Sequence, residues 1–151
     1  METTAPWARV PGASAGIGAE VCRQLAARGY HVVLLARRED RLLELSESLQ
    51  AEDGVQCRTL PLDLSQPHAS SHVADWLKET GIPIEFLVNN AGFGVVGAYN
   101  DVDWETHDTF LKVMLNSVCE LTWRLLPGMG FFAGVCTVSV LLRAGARAPP
   151  P

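Results

Sequence analysis

Short apolar runs alternate along this chain with longer stretches in which apolar residues recur every three or four positions. Val32 to Leu35 form an unbroken apolar run just after Gly29, the pattern of a strand buried on both faces. Arg41 to Glu52 puts Leu42, Leu45 and Leu49 on one stripe, with Gly54 just past the end, and predicts a helix. Val55 to Leu64 predicts a strand containing Pro61. A helix is predicted from Ser65, carrying Val73, Trp76 and Leu77 and ended by Gly81. Ile84 to Asn89 is a further buried strand. Trp104 to Leu126 predicts one long helix capped by Asp103. Near the start, Trp7, Ala8 and Val10 are expected to make the first strand, with Arg9 among them and Pro11 straight after. A helix from Ala19 to Arg28 closes at Gly29, and Val135 to Val140 supplies a last strand.

Strands alternating with helices predict an α/β fold of about five parallel strands covered by helices. Leu125 to Leu142 holds 18 residues without a charge, the lower limit for a membrane span. Pro127, Gly128, Gly130 and Gly134 break such a helix, so a helix end, a turn and a strand are expected, with no membrane association. Arg143 to Pro151 (RAGARAPPP) has no periodicity and is expected to be an unpacked tail, leaving a folded domain over 1–142.

With 48% hydrophobic and 19% charged residues, the chain has enough apolar side chain for a real core. Lys and Arg total 12 against 17 Asp and Glu, a formal net charge of −5, which argues against a nucleic-acid grip. Cys22, Cys57, Cys119 and Cys136 show no metal or disulfide spacing, and no basic, apolar leader opens the chain. A cytoplasmic protein with four buried thiols is expected. His68, His72 and Asp75 share one predicted helix face, which is expected to be solvated rather than zinc-binding, so no metal site is expected. Asp101, Asp103, Glu105 and Asp108 fit capping and the helix dipole.

The chemistry-bearing segment is Gly12-Ala13-Ser14-Ala15-Gly16-Ile17-Gly18, between the first strand and a helix. Gly12 allows a sharp turn, Gly16 a close approach to a diphosphate, and Gly18 tight packing of helix on sheet. The helix N-terminus then offers free N–H groups and its positive dipole end. Ser14, Ala15 and Ile17 complete this turn. The context predicts dinucleotide binding.

The Gly-x-x-x-Gly-x-Gly spacing resembles that of the short-chain dehydrogenase/reductase family. Asn89-Asn90-Ala91-Gly92, Asp63-Leu64 and Asn116 resemble three more of its elements, in order. The resemblance implies a Rossmann-like doubly wound parallel sheet, incomplete here. It also implies that the chain corresponds to about the first three-fifths of a family chain. It further implies that Asp63 and Leu64 meet the adenine and that Ala91 and Gly92 pass the ribose. Asn90 would steady the central strands, and Asn116 would hold a water of the proton relay. Asparagines that end a strand or lie exposed on a helix are the alternative readings.

An NAD site needs an acid at the end of the second strand, where this chain has Ala36 followed by Arg37 and Arg38. Guanidinium groups suit a 2′-phosphate, so NADP (as NADPH) is expected ahead of NAD. In the family a Tyr, with Lys four residues on, exchanges the proton. Here Tyr30 and Tyr99 are followed at that spacing by Leu34 and Asp103. A Ser also takes part; on the register of Thr137-Val138-Ser139-Val140 its place falls at Val140, with Ser139 as the structural neighbour, and a slip of one residue would make Ser139 the candidate. The expectation is an NADP-dependent oxidoreductase by resemblance, acting on a small-molecule carbonyl or alcohol, but inactive as this chain. The alternatives are a non-catalytic dinucleotide-binding or regulatory module, or a poorly folded fragment. An incomplete sheet is expected to expose apolar surface and favour self-association.

Overall fold

The computed structural model describes residues 5–129 and 134–137. Five parallel strands form one sheet: β1 (Trp7–Pro11), β2 (His31–Ala36), β3 (Cys57–Pro61), β4 (Ile84–Asn89) and β5 (Gly134–Thr137). Their order is β3-β2-β1-β4-β5. The chain therefore builds outward from β1 in one direction, then returns to its other side with β4. That reversal leaves a crevice at the carboxyl ends of β1 and β4, where open α/β sheets bind ligands.

Helices cover both faces, because the strands are apolar on both. On one face, α1 (Gly16–Ala26) and α2 (Glu39–Asp53) bury Cys22, Leu25, Leu42 and Leu49 against Ala8, Val10, Val32 and Leu34. On the other, α3 (Ala69–Thr80) and the helix after β4 bury Val73, Leu77, Val113 and Leu121 against Val33, Leu35 and Ile84.

Strand periodicity sends Arg9 to this second face, opposite Val33 and Leu87. Its side chain is fully buried, and all three guanidinium nitrogens lack a hydrogen-bond partner among the described residues. Burial alone pulls its pKa down to about 9.

Several element boundaries differ from those expected. Helix α1 begins at Gly16 rather than Ala19, so the glycine turn runs straight into the first helical turn. Strand β3 stops at Pro61, which has no N–H to continue a ladder and sits on an edge strand. Helix α3 begins at Ala69, not Ser65. Asp63 Oδ1 accepts from the Ser65 N–H at 2.8 Å, and His68 adopts a left-handed φ of 62°, so the chain turns before it coils. His68 thus leaves the helical face shared by His72 and Asp75. Among the described residues, no cluster of three or more His, Cys, Asp or Glu could hold a metal ion.

The long helix is interrupted. An α-helical part, α4 (Trp104–Leu111), passes through a π-helical turn at Lys112–Asn116 into α5 (Ser117–Leu125). The expected cap is present: Asp103 Oδ1 accepts from the Thr106 N–H at 2.7 Å, which holds its carboxyl below the usual range. Only two of the four thiols are buried. Cys22 on the inner side of α1 and Cys57 at the start of β3 are buried, which pushes them up to about 12 and about 11. Cys119 and Cys136 are exposed, on the outer side of α5 and on the edge strand β5. No described helix is long and apolar enough to cross a membrane. Ser139, the remainder of the expected last strand and the tail from Arg143 lie outside the described residues.

Candidate cofactor site

The glycine turn is pinned to the neighbouring strand. The N–H groups of Gly12 and Ala13 both donate to the Leu35 carbonyl, at 2.7 and 3.2 Å. Gly12 has a φ of +74°, and a Cβ there would meet Asn90 Nδ2 at 2.9 Å. A Cβ on Gly18 would collide with the Gly12 carbonyl oxygen. These two glycines are therefore required by the fold itself. Gly16, with φ +57°, differs: a Cβ there would meet nothing within 4 Å. The space above it is open, and Ser14, Glu20, Arg23 and Arg38 line the wider hollow around it.

No side-chain cap occupies the start of the helix that follows. Helix α1 has Ala15 at its N-cap, no side chain capping it, and no acid in its first turn. Its first N–H groups are left for an outside acceptor, as a diphosphate would be. Ile17 stands half-exposed beside them.

Asn90 braces the turn from β4. Its amide Nδ2 donates to the carbonyl of Pro11 at 3.1 Å and approaches that of Gly12 at 3.5 Å. Asn89 is buried and donates to Thr122 Oγ1 at 3.1 Å, tying β4 to α5. Beside this turn lies a cavity of about 270 Å³. Its floor is Gly12, Ser14 and Ala15; one wall is Arg37, Arg38, Asp63 and Leu64; the other is Ala91, Gly92, Phe93, Thr109 and Val113. Arg38 donates from a terminal nitrogen to the Ser14 hydroxyl at 3.3 Å. Arg37 stands 4.0 Å from Asp63 Oδ2, a loose and exposed pair.

The nine residues Gly12, Ser14, Ala15, Arg37, Arg38, Asp63, Leu64, Ala91 and Gly92, widely spaced in sequence, thus meet at one cavity. Gly16, Ile17, Gly18 and Asn90 surround the turn without lining it. Asn116 does not join them. It is exposed and lines a separate cavity of about 210 Å³ with Ser65, His68, Lys112 and Glu120. Asn116 is the last residue of the π-helical turn. Facing Gly92 instead is Met114: a Cβ on Gly92 would stand 2.6 Å from Met114 Sδ. Phe93, Thr109 and Val113 line the cavity and are the residues that sequence reasoning missed, while Met114 packs on Gly92. Val113 lies within the π-helical turn, whose register the spacing does not foresee.

The family model for short chain dehydrogenases matches residues 6–139. The chain belongs to this family. The human very-long-chain 3-oxoacyl-CoA reductase is 35% identical over 129 residues, covering 82% of this chain and 40% of that protein. The (+)-neomenthol dehydrogenase of Arabidopsis thaliana is 42% identical over 96 residues, covering 62% of this chain and 32% of that protein. Among solved structures, L-sorbose reductase from Gluconobacter frateurii, complexed with NADPH and L-sorbose, superposes with a TM-score of 0.78 at 29% identity, over 83% of this chain and 48% of that one. An alcohol dehydrogenase from Thermococcus sibiricus, complexed with 5-hydroxy-NADP, gives 0.81 at 27% identity, over 89% and 57%. This short chain dehydrogenase spans 32–40% of the length of the two curated relatives named.

Proposed function

We propose that this chain is the nucleotide-binding part of an NADP-dependent oxidoreductase that moves hydride between a nicotinamide and a carbonyl or secondary alcohol. The contact between Arg38 and Ser14 carries the choice of cofactor. It sets a guanidinium and a hydroxyl together at the end of β2, where Ala36 replaces the acid that an NAD site uses on the ribose 2′-hydroxyl. A 2′-phosphate there meets Arg38, Ser14 and, after release from Asp63, Arg37. The solved relatives that hold NADPH and 5-hydroxy-NADP support the same choice.

The nicotinamide would supply the hydride; the chain's own residues bind and orient. The open N-terminus of α1 holds the diphosphate over Gly16, while Ala91 and Gly92 let the ribose lie close to backbone. Among the described residues no Tyr and Lys pair lines the cavity to supply the proton. Tyr30 packs on Phe86 with ring centroids 6.2 Å apart, and Tyr99 packs on His107 at 4.3 Å; neither lines the cavity. Lys112 is paired with Asp108 at 2.6 Å. Loss of a general acid/base costs roughly 10²–10⁴-fold in rate. This chain alone is therefore proposed to bind NADPH without turning over a carbonyl, whereas a protein of its relatives' length would act on a small carbonyl substrate, a 3-oxoacyl thioester being one class. Exposed Leu115, Trp123, Leu126 and Val135 support self-association of the chain as it stands.

Two optical measurements test this reading. NADPH fluorescence should rise on titration with the protein, while near-ultraviolet absorbance stays constant with ketones, aldehydes and a 3-oxoacyl thioester present. Steady consumption of NADPH contradicts the non-catalytic part. An unchanged NADPH spectrum contradicts the binding part.

A further inference from the structure

The order of the strands assigns the two halves of a dinucleotide to two sides of the crevice. Arg37 and Arg38 follow β2, and Asp63 follows β3, so the adenosine half lies on that side of β1. The other half must cross the gap between β1 and β4 and emerge past Gly92, toward β5. What stands against Gly92 there is Met114. A Cβ on Gly92 would lie 2.6 Å from Met114 Sδ and 3.3 Å from its Cε, so the thioether rests on the bare face of the glycine. Met114 is half-buried, whereas its neighbour Val113 is buried and lines the cavity. The π-helical turn at Lys112–Asn116 holds this pair toward Gly92 and leaves Asn116 on the other cavity.

We infer that Met114 is a direct contact of the bound dinucleotide and closes the site at its nicotinamide end with a thioether. This rests on the dinucleotide reading of the cavity. The chemistry suits the position: a flexible, polarizable sulfur packs well against the edge of an aromatic ring and excludes water. It donates no proton and does not order a relay water. Met114 therefore contributes affinity at this point, a role distinct from the one that the family resemblance implies for Asn116.

The chain contains three methionines, Met1, Met114 and Met129, so the others are internal references. Brief peroxide oxidation, read as sulfoxide at each methionine by peptide mass spectrometry, is run with and without saturating NADP⁺. Oxidation of Met114 is expected to slow at least about threefold with NADP⁺, while Met129 does not change. In calorimetry, Met114→Ala should weaken NADP⁺ binding roughly threefold to tenfold and Met114→Leu by much less, with circular dichroism showing both variants folded. Calorimetric binding with unchanged Met114 oxidation overturns this inference and leaves the dinucleotide reading intact. No calorimetric binding by the folded wild-type chain overturns that reading and this inference with it.

Discussion

Asn90 donates its side-chain amide to the carbonyl of Pro11 at 3.1 Å, joining the ends of β4 and β1 across 79 residues of chain. The bond spans the crevice at the reversal of strand order, so the shape of the phosphate turn depends on it. Asn90→Ala should destabilise the domain by about 1–2 kcal/mol, because the bond is lost and the Pro11 carbonyl is left in a partly buried place. It should also weaken cofactor binding. Urea denaturation checks the first effect and NADPH titration the second.

Arg9 is the largest conflict between sequence and fold. A fully buried guanidinium without a hydrogen-bond partner among the described residues is costly, and replacing buried charge by a well-packed apolar residue stabilises proteins by up to about 4 kcal/mol. Arg9→Leu should therefore raise stability by about 1–4 kcal/mol. The pH dependence has a definite sign. The folded pKa of about 9 lies below the ordinary 12.5, so between these values the unfolded chain binds the extra proton and stability rises with pH. The burial penalty is present in full below about pH 9 and fades above it. Cys22 and Cys57, raised from 9.0 to about 12 and about 11, act oppositely, costing stability above pH 9 in wild type and variant alike. The advantage of Arg9→Leu should thus shrink as pH climbs from 8 to 10.5 in denaturant titrations. A constant advantage would show that Arg9 stays charged in the fold.

The glycines of the turn separate into two kinds. Gly18→Ala drives a methyl into the Gly12 carbonyl, a backbone group that has no freedom to withdraw, and should prevent folding. Gly16→Ala meets no protein atom and should cost only about 1–2 kcal/mol for its left-handed φ. It should nevertheless lower cofactor affinity by a larger factor, since its methyl occupies the diphosphate cradle. Circular dichroism and calorimetry on both variants check the contrast.

Much of this was legible in residue order. The alternation of apolar runs gave five parallel strands, and the glycine turn, Ala36-Arg37-Arg38 and Asp63 all reached one cavity. The differences have physical causes. Asn116 lies in a π turn that 3.6-residue periodicity does not foresee, and it lines a second cavity rather than the one beside the glycine turn. Ser65 looked like a helix start, yet an Asp63 turn and a left-handed His68 delay the helix to Ala69. Residue type predicts buried cysteines, whereas Cys119 lies on the solvent-facing side of α5 and Cys136 on β5 at the end of the described sheet, both exposed.

Thiol labelling separates these environments directly. Under native conditions, iodoacetamide should modify Cys119 and Cys136 and spare Cys22 and Cys57, whose burial hides them and suppresses the thiolate. All four should react in denaturant. Peptide mass spectrometry reads each site.

The central claim is that the cavity beside Ser14 and Arg38 selects the 2′-phosphate. Isothermal titration of the wild-type chain and of Arg38→Ala with NADPH and with NADH tests it most directly. The wild type should prefer NADPH by roughly tenfold or more, as a charge-assisted pair of about 1.5–3 kcal/mol requires. Arg38→Ala should lose most of that preference while keeping its affinity for NADH. Equal affinities for the two nucleotides, or a preference unchanged by Arg38→Ala, would contradict the account.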